Sequence, residues 1–209
     1  ADFNVLGEQM KMTEENGAEY IHFDVMDGMF VPSISFGMPV LKSIHKTTNQ
    51  FMDAHLMVVE PIRYVESFKD AGADQVTIHY EACEDVEATI AKIREYGCKV
   101  GVSVKPATPV SALEPYVDKI DMILIMSVEP GFGGQKFMPI ALDKIAEAKA
   151  LVESKGLNVD IQVDGGIDTS NVEDVIKAGA NIIVAGSSVY NGDTAANTKA
   201  MMEILNKYE

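Results

Sequence analysis

The chain has 209 residues, enough for one domain with a substantial buried core, here residues 1–209. It carries 17 Lys and Arg against 32 Asp and Glu, a formal net charge of −15, which argues against nucleic acid and anionic membrane as partners. Hydrophobic content of 47%, mean hydropathy near zero, no apolar run of membrane-spanning length and only two cysteines without a CxxC lead us to expect a cytoplasmic protein with free thiols.

Taken in chain order, residues 2–16 read as a helix, with Asp2 as N-cap and Val5, Leu6 and Met10 on one side. Gly17 ends it, and the stretch IHFDVMDGMFVP follows. Strands are expected near 19–25, 51–58, 74–80, 98–104, 121–127, 159–164 and 181–186, with a helix after each. Gly17, Gly72, Gly97, Gly156 and Gly179 each stand between a helical stretch and the next strand, where a left-handed residue closes a helix cheaply. Pro61, Pro109 and Pro139 sit near helix starts. In residues 138–155, Leu142, Ile145, Ala148 and Val152 form an apolar stripe, with Lys144, Glu147, Lys149 and Glu153 outside it. MILIM at 122–126 is apolar on both faces, the mark of a buried parallel strand. The alternation predicts an α/β fold, a (β/α)8 TIM barrel lacking its first N-terminal strand. An open doubly wound sheet is the structural rival. Its dinucleotide-binding form is disfavoured, because no GxGxxG follows the first strand.

Side chains alternate along a strand, so His22, Asp24 and Met26 share one face. Asp53, His55 and Met57 share a face of the second strand, and Asp164 ends VDIQVD before two glycines. Imidazole and carboxylate at three strand ends fit zinc, divalent iron, manganese or cobalt. Any one of these residues taken singly reads as a cap, a turn or a core hydrogen-bonder; their recurrence shifts the weight. Glycine loops follow the late strands: Gly131, Phe132, Gly133 and Gly134, then Gly165 and Gly166, then Gly186 and Ser187. Their backbone N–H groups suit a phosphate, so an acidic chain needs no lysine clamp. Lys105, Lys136 and His45 read as solvated. His79 lies at a strand end but is not counted as a ligand.

The strings IHFDVMDGMFVP, DAHLM, TIHYEA, MSVEPGFGGQKF, VDGGI and VAGSSVY run in order along nearly the whole chain. Together they closely resemble the ribulose-phosphate 3-epimerase family. The resemblance implies a barrel that interconverts D-ribulose 5-phosphate and D-xylulose 5-phosphate, with a divalent metal held by His22, Asp24, His55 and Asp164. It implies that Asp24 and Asp164 are the acid/base pair, that His55 and the glycine loops face a small phosphorylated ketose, and that Met26, Met57 and Met126 pack around the reacting carbons. A homo-oligomer is expected. The family's first strand, roughly PSILS, precedes the point at which this sequence starts, and Met29 stands where the family commonly has His. An allulose-6-phosphate 3-epimerase and a catalytically inactive phosphosugar-binding barrel are the alternative readings.

Overall fold

The computed structural model describes residues 1–208. It contains one sheet of seven parallel strands in strict chain order. These are β1 (Tyr20–Met26), β2 (Phe51–Met57), β3 (Gln75–His79), β4 (Lys99–Val104), β5 (Met122–Met126), β6 (Asp160–Asp164) and β7 (Ile182–Val184). Eight helices accompany them: α1 (Leu6–Glu15), α2 (Met38–Ile44), α3 (Val65–Ala71), α4 (Val86–Glu95), α5 (Ile140–Ser154), α6 (Val172–Ala178), α7 (Ser187–Tyr190) and α8 (Thr194–Leu205). The sheet curls into a nearly closed barrel, open between β1 and β7. No strand among the described residues pairs with the outer side of either. A cavity of about 780 Å³ runs along this seam, from Phe3, Met10 and Tyr20 up to Asp24, Met126 and Gly165.

Alternation divides the apolar residues into two cores. Ile21, Phe23 and Val25 of β1, with their counterparts on the other strands, face outward into one continuous layer against the helices. Met122, Leu124, Met126 and Val128 form a separate cluster inside the barrel, with Ile182 against it. At roughly 25 cal/mol per Å² of apolar surface, the outer layer supplies most of the hydrophobic stabilisation. The interior is correspondingly free to hold polar groups.

The left-handed glycines fall where expected: Gly17, Gly72, Gly97, Gly156 and Gly179 all have positive φ. Asp2 does cap the first helical turn, accepting from the Asn4 N–H. That turn is 3-10 (Phe3–Val5) before α1 begins. Three expectations need correction. The β4–β5 connection has no α-helix, only 3-10 turns at Val110–Leu113 and Val117–Lys119. Pro106, Pro109 and Pro115 explain this, since each removes a donor and clashes with a preceding turn. Lys144, placed outside the α5 stripe, is buried. Its Nζ donates to the carbonyls of Lys105 (2.6 Å), Pro106 (3.2 Å) and Thr108 (2.7 Å), so the ammonium satisfies the oxygens that a helix would have satisfied. β7 spans three residues rather than six. It has one neighbour only, and its residues remain half-buried.

Candidate metal centre

Register brings the polar residues together. In the β1–β2 ladder His22 lies beside Asp53, Asp24 beside His55 and Met26 beside Met57. In the β5–β6 ladder Met126 lies beside Asp164. His22, Asp24, His55 and Asp164 each offer one ligand atom within 4.8 Å of the others. His22 Nε2 is 3.1 Å from His55 Nδ1, 3.2 Å from an Asp24 oxygen and 3.8 Å from an Asp164 oxygen. His55 Nδ1 is 2.9 Å from the same Asp24 oxygen. Two ring nitrogens and two carboxylates converging on one point fit a divalent cation that accepts mixed nitrogen and oxygen ligands.

The environment drives the two carboxyl groups apart. Burial opposes ionisation of Asp24, but the His22 and His55 imidazoles beside it outweigh burial and hold it well below the usual carboxylate range. Burial, together with the charge of Asp24, pushes Asp164 up to about 6. Burial likewise opposes protonation of His22, yet Asp24 and Asp53 raise it well above an ordinary histidine.

Beneath the cluster, Asp53 is fully buried. One of its oxygens accepts from His22 Nδ1 (2.9 Å) and Gln162 (3.1 Å), the other from the Thr77 hydroxyl (2.6 Å) and Gln75 (3.1 Å). One carboxylate thus ties four strands together and leaves His22 Nε2 free to face the cluster. Four hydrogen bonds make this buried charge tolerable. His79 is also fully buried. Its Nε2 lies 2.9 Å from His55 Nε2, and its Nδ1 lies 3.4 Å from a Glu81 oxygen. That last contact exceeds a well-formed hydrogen bond, but the charge is close. Burial pushes His79 down to about 4. Burial alone would raise Glu81, but its neighbours, His79 foremost, bring it down to about 2.

The cavity above the cluster is lined by Asp24, Asp164, His22, Met26, Met57 and Met126. Gly131, Phe132, Gly133, Gly134, Gly165, Gly166, Gly186 and Ser187 line the same space. His55 does not: it is buried below the floor and meets the cluster through Nδ1 alone. Gly166 has φ +65°, and a Cβ there would lie 2.4 Å from the Phe137 nitrogen, so only glycine fits. A Cβ on Gly186 would meet nothing within 4 Å, which leaves open space at that rim. Asp27 pins the loop over the mouth, accepting from the N–H groups of Met29, Phe30 and Val59. Met29 itself is 80% exposed. Lys105 is not simply solvated, since its Nζ sits 3.9 Å from the centre of the Phe30 ring; Lys136 and His45 are exposed.

Sequence reasoning missed the support given by Asp53, Gln75, Thr77 and Gln162. The available signal was polar residues alternating with apolar ones along the strands, as in DAHLM and QVTIH.

The fold is shared with solved barrels of low identity. A 3-hexulose-6-phosphate synthase structure superposes with a TM-score of 0.71 at 20% identity, over 98% of this chain and 93% of that one. A structure of KGPDC from Streptococcus mutans gives 0.72 at 12%, over 97% and 92%. Curated relatives are much more similar in sequence. The ribulose-phosphate 3-epimerase of Synechocystis sp. is 46% identical over 96% of this chain and 88% of its own length. That of Bacillus subtilis is 45% identical over 98% and 94%, and that of Escherichia coli 44% over 91% and 85%. A profile of the ribulose-phosphate 3 epimerase family matches residues 1–190, and on this match and these identities the chain belongs to the ribulose-phosphate 3-epimerase family of isomerases.

Proposed function

We propose that residues 1–209 form one catalytic domain that interconverts D-ribulose 5-phosphate and D-xylulose 5-phosphate, as a cytoplasmic step of the pentose phosphate pathway. The observation that carries this reading is the convergence of His22, Asp24, His55 and Asp164, three of them lining one cavity rimmed by glycine loops and His55 directly beneath its floor. Inverting a carbon beside a ketone requires removing its proton and returning one to the opposite face. Asp24 and Asp164 reach the cavity from different strands, so one is placed to take the proton from one face and the other to return one to the opposite face. The roles exchange for the reverse direction. The four clustered side chains would hold a divalent cation (zinc, iron, manganese or cobalt), which would supply positive charge where negative charge develops beside the reacting carbon. Met26, Met57 and Met126 exclude water from the reacting carbons with apolar, polarizable bulk. The backbone N–H groups of the loops at 131–134, 165–166 and 186–187 hold the phosphate.

Turnover in deuterated water tests the two-carboxylate assignment. The product is expected to carry deuterium at C3 and little elsewhere. Single-turnover product that keeps the substrate's own C3 hydrogen would refute two carboxylates acting from opposite faces. Asp24→Asn and Asp164→Asn should each cost on the order of 10²–10⁴ in kcat.

A further inference from the structure

Three imidazoles stand in line at the floor of the site. His22 Nε2 faces His55 Nδ1 at 3.1 Å, and His55 Nε2 faces His79 Nε2 at 2.9 Å. Two facing ring nitrogens attract only if one of them carries the proton. With a cation between His22 Nε2 and His55 Nδ1, both of those atoms must present lone pairs. The proton of His55 then resides on Nε2 and points at His79. His79 Nε2 must accept it, so the proton of His79 resides on Nδ1.

Glu81 stands at that end of the row. One of its oxygens is already engaged, accepting from the Lys105 N–H at 2.7 Å. The other is buried, has no other partner among the described residues, and lies 3.4 Å from His79 Nδ1, which is itself buried and otherwise unpartnered. The two orphaned atoms face each other. The opposite proton arrangement would set a lone pair of His79 against a carboxylate oxygen in a dry place, which is costly.

We propose that His79, backed by Glu81, is a positioning residue that fixes the tautomer of His55 and so makes its Nδ1 a permanent donor to the bound cation. Asp53 does the equivalent for His22 through Nδ1, so each ligating imidazole is held from behind by a different strand. Supports of this kind are typically worth about 10–100-fold in metal affinity. This proposal rests on the metal reading above, and its test separates the two.

Zinc affinity is measured by chelator competition for the wild type, His79→Gln and His79→Phe. Glutamine places a carbonyl oxygen near the position of Nε2 and can still accept from His55, whereas phenylalanine fills the ring volume without an acceptor. His79→Phe is expected to lose about 10–100-fold in zinc affinity and His79→Gln to keep most of it. In parallel, ¹⁵N-histidine NMR of the zinc-loaded wild type should find the proton of His55 on Nε2 and that of His79 on Nδ1. Equal losses in the two variants would reduce His79 to a packing residue, and a proton on His79 Nε2 would overturn the proposal outright. If His79→Phe fails to fold, the wild-type spectrum and the glutamine variant still decide. A wild type that takes up no zinc, iron, manganese or cobalt would instead remove the metal reading and this proposal with it.

Discussion

Asp164→Asn in the metal-free chain separates what this carboxylate costs the fold from what it does in the site. Asp164 titrates near 6 in the folded chain against 3.8 for a free aspartate, because of burial and the neighbouring Asp24 charge. Its side chain is only 17% exposed, so solvent screening takes little from this. A folded pKa raised above the unfolded value means that the folded chain holds the proton more tightly. The protonated carboxyl is fully accommodated below about pH 4, and that advantage is lost as pH rises through 6. About two units at 1.36 kcal/mol each gives roughly 3 kcal/mol of destabilisation at pH 7–8 relative to a permanently neutral side chain. Asparagine is that side chain. In urea titrations with chelator present, Asp164→Asn should match the wild type near pH 4. It should gain about 1.4 kcal/mol per pH unit up to pH 6 and level off near 3 kcal/mol. An equal difference at pH 4 and pH 8, or a variant less stable at pH 8, would refute the reasoning. The same variant should lose activity, which is the exchange of stability for function expected where like charges are gathered for chemistry.

His55→Ala removes one of four converging groups, so metal content after dialysis and epimerase activity should fall together; full metal occupancy in the variant would remove His55 from the set. Gly186→Val should leave the melting temperature nearly unchanged, because nothing lies within 4 Å of a Cβ there, while raising KM for the phosphorylated sugar by blocking backbone approach. An unchanged KM would take that loop out of the site. An extended segment fused ahead of residue 1, long enough to reach both free edges, should raise Tm by pairing Tyr20–Met26 and Ile182–Val184; no change in Tm or in amide protection of those strands would mean that the seam does not accept a strand.

The strands were legible because buried parallel strands need β-branched and apolar runs, and MILIM or KVGVSV offers little else. The inward-facing His and Asp residues were legible from alternation and from their recurrence at three strand ends, while the choice of His22, Asp24, His55 and Asp164 as one set came from the family resemblance. The β4–β5 connection was misread because the even spacing of units outweighed its prolines. Lys144 was misread because a helical stripe scores a lysine as solvent-facing. Only tertiary contact reveals that its stem is buried and that three loop carbonyls receive its ammonium. Asp53 and His79 were visible as residues but not as supports, since their partners lie on strands distant in sequence, Gln162 being 109 positions from Asp53.

The seam bears on how the chain folds. Among the described residues each strand pairs only with its immediate neighbours in sequence, and none pairs with the outer side of β1 or β7. Contact between the chain's two ends is made by side chains instead, where α1 packs on α8 and Gln9 reaches Thr194 at 3.4 Å. A sheet wired in this way resembles a one-dimensional array of coupled units rather than a ring. Such an array frays from its termini, so hydrogen exchange should advance inward from β7 and β1 and reach β3 to β5 last. His22 and Asp24 lie on one fraying strand, while His55 and Asp164 each lie one strand further in. The site therefore straddles the least and the more firmly held parts of the same sheet, and a ligand bridging them would close the array into a ring energetically without any added backbone pairing.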